Sequence, residues 1–378
     1  MHIFALQATI HGRMHRLLPF ASYRYDPFEA SPSTIEKPPI EPLLDQITLD
    51  DEAGLYIYQT VQTTQSGERK RMRGVVGILE LTGSGSVSPE SSQSQTLPVS
   101  LPVKGWPEVT LLPHENTTSA YRSDRIPSKR PKNPVWLLDK TQAISQLISI
   151  SEGDLVSRVT DSYGVHHRVW LLRQPALLRE FQEAARSLTL IVADGHHRLR
   201  AASSPGAHIG SRRLMCMITP SFEEGPTLAT WARSYRPSEP RPNFETELRS
   251  KFGLALVEDT SQAETMRTDR PLVRIGQKLY TPGGIFSKKL LDPELTDAEL
   301  FESEIPFPFE PTSFRSDEDF FGLNPAKHAK DEIFELLPRP ISIETVISRS
   351  LAQRLLPAKT TRFYPKALPG LLLGETIG

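Results

Sequence analysis

Cysteine is nearly absent: Cys216 is the single one in 378 residues. A lone thiol excludes an internal disulfide framework and any Cys-rich zinc module, and it implies a reducing, cytoplasmic setting. It sits in Leu214-Met215-Cys216-Met217-Ile218, where an inert buried thiol is the expectation. No apolar run approaches the ~18–20 residues that a bilayer-spanning helix needs, so no membrane partner is expected. Neither sign of charge dominates, with 44 Lys and Arg against 45 Asp and Glu and a formal net charge of −1. Such a chain has no global field to steer nucleic acid, and any basic patch has to be local. No repeat of fixed period is visible, which argues against solenoids and propellers. The first 25 residues lack acids and carry Arg13, Arg16 and Arg24, as a transit peptide would. The segment has no small-residue cleavage signal, however, and its apolar pieces are interrupted by histidines, so a first strand or irregular arm is the reading.

Proline, by contrast, is abundant: 33 residues imply many turns and long connections rather than long helices. Hydrophobic content of 38% with 24% charged residues is that of a globular protein, long enough for one large domain or two ordinary ones. Period-two alternation and β-branched residues mark strands at 55–61 and 74–81, joined as an antiparallel hairpin. Further strands are expected at 109–112, 135–138, 167–172, 188–193 and 214–219, and a hairpin at 272–280. Helical spacing marks 175–188 and 341–356. Residues 300–321 are acidic and rich in Phe and Pro, and periodicity assigns them no element. The expected organisation is an amino-terminal β-rich part over 1–81 and a Ser/Gly/Pro-rich loop or insertion over 82–108. A core follows over 109–220, then a carboxy-terminal α/β part, docked on the core, over 221–378.

Three constellations carry chemistry. Asp194-Gly195-His196-His197-Arg198 lies between an apolar strand and the helix formers Leu199 to Ala202, so it reads as a tight strand-to-helix turn. The first backbone N–H groups of a helix lack internal partners, and the aligned peptide dipoles make that end partly positive. Gly195 lets another group approach closely, and Arg198 adds a guanidinium: an anion site, most simply for phosphate. Two other readings stand beside it. In one, Asp194 merely caps the helix; in the other, Asp194, His196 and His197 hold a metal, although adjacent helical residues point about 100° apart and rarely chelate together. The second constellation is His114-Glu115 before Thr117-Thr118, where Glu115 is either a general base helped by His114 or a first-turn acid on its helix dipole. The third is Lys359-Thr360-Thr361 with Lys366, suited to gripping an acidic substrate or to a solvated loop. The apolar tail at 370–374 implies that this region is docked against the body.

The order of several blocks in the chain resembles that of a widespread bacterial family of unknown function. They include Arg24-Tyr25-Asp26-Pro27, Tyr56-Ile57-Tyr58, Pro113-His114-Glu115-Asn116-Thr117, His167-Arg168-Val169-Trp170, the Asp194 turn and Lys359 to Lys366. The likeness runs from about residue 17 to 376. Where the family reads Pro-Pro-Tyr-Asp this chain has Pro38-Pro39-Ile40-Glu41, and Thr360 replaces a serine. The turn is also similar to the nucleotide-phosphate turn of free-serine kinases and, more distantly, of ParB-type CTPases and sulfiredoxin.

That resemblance implies an α/β (α+β) fold with a ParB/sulfiredoxin-like phosphate-binding core of mixed sheet and helices carrying large additions. It implies Gly195, His196, His197 and Arg198 on nucleotide phosphates, Asp194 at the transferred phosphoryl group, and Mg²⁺ arriving with ATP or ADP. Metal would come with the nucleotide, with Asp194 beside it, rather than from a dedicated cage. Glu115 and His114 would serve catalysis, and Lys359, Thr360, Thr361 and Lys366 would hold substrate. The resulting expectation is a nucleotide-dependent phosphotransferase acting on a small hydroxyl compound such as free serine. The alternatives are a ParB-like nucleotide switch without fast chemistry and a metal-dependent hydrolase. Nucleotide and small molecule are the expected partners, nucleic acid is disfavoured by the charge balance, and a homodimer is left open.

Overall fold

Strands rich in Val, Ile, Leu and Tyr build the larger of two main sheets in the computed structural model. It describes residues 16–39, 43–63, 67–80, 103–104, 133–195, 198, 213–259, 263–266, 269–283, 295–316, 320, 333–352, 356–357 and 359–373. The strands of the first sheet are β1 (Arg16–Leu18), β2 (Leu55–Thr63), β3 (Arg69–Glu80), β4 (Val135–Asp139), β5 (Asp154–Thr160), β6 (His166–Leu172), β7 (Leu190–Asp194) and β8 (Arg213–Pro220). Their order is β7-β4-β8-β3-β2-β6-β5, with β1 also paired to β3. β4 and β8 run parallel; the other pairs are antiparallel, so the sheet is mixed and the class α+β. The hairpin expected between 55–61 and 74–81 is present as β2 and β3, in register from Tyr56 opposite Val76 to Thr63 opposite Arg69.

At β4 and β7 both faces of this sheet are covered, which is why those strands read as unbroken apolar runs rather than as alternations. One face packs Ile57, Val75, Leu137, Val192 and Ile218 under two helices, α2 (Ser145–Ile150) and α3 (Pro175–Ala185), through Ile148, Phe181 and Ala185. The opposite face packs Tyr56, Tyr58, Val76, Trp136, Ile191 and Met217. Its cover comes from the two ends of the described chain: Tyr25, Ile35 of α1 (Pro32–Glu36), Val346 and Ile347 of α6 (Ile343–Leu351), and Phe363, Leu368 and Leu371 to Leu373. The carboxy-terminal segment is tied down by backbone bonds from Tyr25 N to Gly370 O at 2.8 Å, Gly370 N to Ile35 O at 2.9 Å and Leu373 N to Tyr23 O at 2.7 Å. A Cβ on Gly370 would stand 2.6 Å from Ile35 O, so only glycine lets the two segments meet. Leu368, Leu371, Leu372 and Leu373 are thereby held against this face of the sheet.

Six further strands form the second sheet: β10 (Trp231–Pro237), β11 (Ala255–Leu256), β12 (Leu272–Ile275), β13 (Lys278–Thr281), β14 (Phe309–Ser316) and β15 (Phe334–Leu337), in the order β11-β13-β12-β15-β10-β14. Helices α4 (Phe244–Phe252) and α5 (Asp297–Glu304) pack on it around Tyr235, Phe252, Phe301 and Phe334. The stretch that periodicity left unassigned, 300–321, holds most of α5 and all of β14. Its helix is set by a capping box between Thr296 and Glu299. Pro311 is tolerated in β14 because that strand lies on the edge of the sheet. The helix expected over 341–356 ends at Leu351, and Leu356–Pro357 pairs instead with Val103–Lys104. Apart from that pair, the expected insertion at 82–108 and the strand at 109–112 lie outside the described residues. No helix among the described residues is long and apolar enough to cross a membrane.

Candidate functional site

At the end of β7 a register shift between Val192 and Asp194 sets Asp194 opposite Trp136 of β4. The chain then turns at Gly195 with φ of 93°, a backbone conformation that side chains rarely adopt. Space enforces the same choice: a Cβ there would stand 2.9 Å from Arg198 Nη2 and 3.2 Å from Val135 Cα. Arg198 is helical, so the expected strand–glycine–helix order is present as far as the described residues go. His196 and His197 lie outside them.

The guanidinium of Arg198 folds back over this turn. Its Nη2 is 3.8 Å from Asp194 Oδ2, and its side chain is 10% exposed. Nη1 is buried and has no hydrogen-bond partner among the described residues. A buried guanidinium donor without an acceptor costs stability, and such a group calls for an anion or an unseen water. The charge also reaches Cys216: burial pushes that thiol up to about 12, against the opposing pull of Arg198. The expected inert, buried cysteine is what the fold provides.

Lys366 closes the site from the other end of the sequence. Its Nζ lies 3.1 Å from Asp194 Oδ1, with side chains 44% and 34% exposed, at the mouth of the turn. Two strands deliver it. β16 (Arg362–Tyr364) pairs with β9 (Thr227–Ala229), and the Phe363 ring packs at 6.0 Å on Trp136, the ladder partner of Asp194. The backbone then passes the cis Tyr364–Pro365 bond to Lys366. The contacts of the other three residues of that block lie elsewhere, that of Thr361 through its main-chain oxygen. Lys359 Nζ sits over the Trp231 ring at 5.0 Å, Thr360 donates to Pro357 O at 2.7 Å, and Thr361 O accepts from Trp231 Nε1 at 3.1 Å. His114 and Glu115 lie outside the described residues, and no group of three metal-ligating side chains occurs among those described.

Behind Lys366 runs a buried polar chain that spacing alone did not single out. Leu368 N–H donates to the Tyr58 oxygen at 2.8 Å, and that hydroxyl meets His167 Nδ1 at 2.9 Å. His167 Nε2 reaches Asp161 Oδ2 at 3.1 Å. The bonds close in one sense, with Tyr58 donating to Nδ1 and Nε2–H donating to Asp161. Burial raises the Asp161 carboxyl, but His167 and the amides of Val165 and Tyr163 outweigh it and hold the group below its ordinary value. In the sequence His167 is visible only within its block: in the ladder it stands opposite Thr60, with Tyr58 its diagonal neighbour, and its acid partner comes from a turn.

Residues 41–233, about half of the chain, match the model of a protein family of unknown function, DUF1015. The chain belongs to this family. No curated protein matches the sequence. Among solved structures, a conserved hypothetical protein from Pyrococcus furiosus is 19% identical with a TM-score of 0.29, over 48% of this chain and 75% of that one. A free serine kinase in complex with AMP is 17% identical with a TM-score of 0.27, over 64% and 88%. SbnI with a carboxy-terminal truncation, from Staphylococcus aureus, is 14% identical with a TM-score of 0.30, over 63% and 85%. Likeness of this degree carries no argument about what the family does, which has to come from the site.

Proposed function

We propose that the turn at Asp194 binds the phosphates of a nucleotide and that the protein transfers a phosphoryl group to a small hydroxyl compound, of which free serine is the model. One observation carries the reading: the nine-tenths buried Arg198, whose Nη1 has no acceptor among the described residues, lies against a glycine turn that nothing larger fits. The donor set suits phosphate, since a guanidinium, an ammonium and main-chain amides are all hard anion donors. It suits a protein-held Mg²⁺ less well, because the two oxygens of Asp194 already face Lys366 and Arg198. Mg²⁺ would therefore come with the nucleotide, where it supplies neutralisation of phosphate charge.

Phosphoryl transfer needs mainly positioning and charge stabilisation. Arg198 fixes the phosphates from the buried side, and Lys366, at the mouth, is free to turn from Asp194 to a phosphoryl oxygen or a substrate carboxylate. Asp194 orients both cations. Glu115 is the candidate to accept the hydroxyl proton, on the strength of the sequence resemblance.

The decisive experiment titrates ATP, ADP and CTP into the full chain, with and without serine, and follows products by phosphorus NMR. A new phosphoester, abolished by Arg198→Ala and Asp194→Ala, is the expected result; unchanged turnover in those variants overturns the reading. A second reading, the nucleotide switch, is favoured by one contact. Lys366 belongs to the segment that covers the sheet, so a ligand that draws it from Asp194 pulls on that segment. Binding without a new phosphoester supports it.

A further inference from the structure

On the far side of the same sheet from β7, the strand register assembles a cationic face. The rows run across β5, β6, β2 and β3. One row carries Arg158, Arg168, Gln59 and Arg73; the next carries Thr160, His166, Val61 and Arg71; Thr63 and Arg69 follow. These positions share the parity of Trp170 and Ile57, so they continue the face that α2 and α3 cover further along. Beyond α2, whose Ser149 O accepts from Arg73 Nη1 at 3.4 Å, no helix among the described residues lies over them; Gln59 is buried, but Arg69, Arg71, Arg158, His166 and Arg168 are all exposed. No acid occupies any of these ten positions.

Arg158 and Arg168 are direct cross-strand partners. Like charges placed opposite one another in an antiparallel pair destabilise it, and neither side chain has an ion-pair partner among the described residues. Glu224 pairs with Arg71, and Glu68, Glu223, Glu224 and Glu344 line, together with Arg69, Lys70, Arg71 and Arg168, an open cleft of 1020 Å³ beside these rows. Arg73 lies over the Trp170 ring at 5.9 Å, and its Nε is buried with no hydrogen-bond partner among the described residues.

The extent of the face decides the ligand class. With strands about 4.8 Å apart and about 3.4 Å per residue along them, Arg158 to Arg73 and Arg73 to Arg69 each span roughly 14 Å. One phosphate reaches one or two of these groups, whereas an extended polyanion reaches them all. Forked guanidiniums set among the neutral, exposed Thr63 and Thr160 suit a phosphodiester backbone laid across an open sheet. From the register we infer that this face binds single-stranded nucleic acid through its phosphates. The net charge of −1 does not oppose this, because these five arginines lie together on one face. The inference does not depend on the Asp194 turn.

The test measures fluorescence anisotropy of a labelled oligo-dT and a labelled oligo-U against the full chain, from about 50 to 200 mM salt. Binding that weakens with salt is expected. The double variant R158Q/R168Q should bind at least about tenfold more weakly, with the salt slope shallower by about 1.4 for two lost single-strand contacts. Because removing the opposed pair relieves repulsion, the variant's thermal midpoint should stay level or rise; the single variants R158Q and R168Q provide the same readout if the double variant folds poorly. Absence of wild-type binding at the lowest salt overturns the inference, as does an unaltered double variant. Equal competition by polyglutamate or by duplex DNA overturns it too, in favour of an acidic protein or a duplex.

Discussion

Lys366 Nζ lies 3.1 Å from Asp194 Oδ1, a contact that spans 172 positions of sequence. It joins two blocks that carry no mutual spacing signal, and it gives the turn a partly exposed cation at its mouth to complement the buried one beneath. The pair is partly exposed, so its share of stability is small, under about 1 kcal/mol. Lys366→Ala should therefore leave the urea midpoint nearly unchanged while weakening ATP binding at least about tenfold by calorimetry, the scale of one charge-assisted contact. Equal affinity in the variant would remove Lys366 from the site.

Gly195→Ala tests the turn itself. The substitution forces a side chain into φ of 93° and against Arg198 Nη2 and Val135 Cα. A loss of roughly 1–3 kcal/mol in chemical denaturation is expected, together with loss of nucleotide binding in the fraction that remains folded. Full stability would mean that the turn is not held in this conformation.

Tyr58→Phe cuts the buried chain that ends at Asp161. It leaves Leu368 N–H and His167 Nδ1 unpartnered in a dry interior, at a cost of about 1–3 kcal/mol. Hydrogen exchange should quicken at Leu368 and its neighbours before it does in β3 or β8. Uniform acceleration would show that the hydroxyl does not anchor this segment in particular.

How much of this was legible beforehand differs by element. The β2–β3 hairpin could be read because alternation and a polar turn are local signals, and β4 and β7 because their apolar runs are short and bounded. β14 could not be, since Pro311 masks a strand that only its edge position permits. At the site, Gly195 and Arg198 declared themselves through the strand-to-helix turn. Lys366 stood out as a lysine, but its neighbour depends on Phe363 finding Trp136, a tertiary contact without sequence period. His167 was visible only as one letter of a conspicuous block, because its partners come from β2 and from a turn.

Acid stability should carry the mark of Asp161. Its folded carboxyl is depressed by His167 and two amides despite burial. The sign follows: the contribution is complete above the unfolded value of about 3.9 and is lost as pH falls through the lower folded one. Urea midpoints of the wild type and Asp161→Asn should therefore differ most near neutrality and converge below about pH 3.9. A gap that widens on acidification would contradict the assignment.

The tail that crosses from Phe363 to Leu373 has one more consequence, for synthesis. At 5–20 residues per second, on the order of ten to thirty seconds separate the emergence of Asp194 from that of Lys366. A nascent chain on the ribosome thus carries Arg198 and its glycine turn before the segment that packs Phe363 on Trp136 has been made, and the Lys366 contact can form only after that segment arrives.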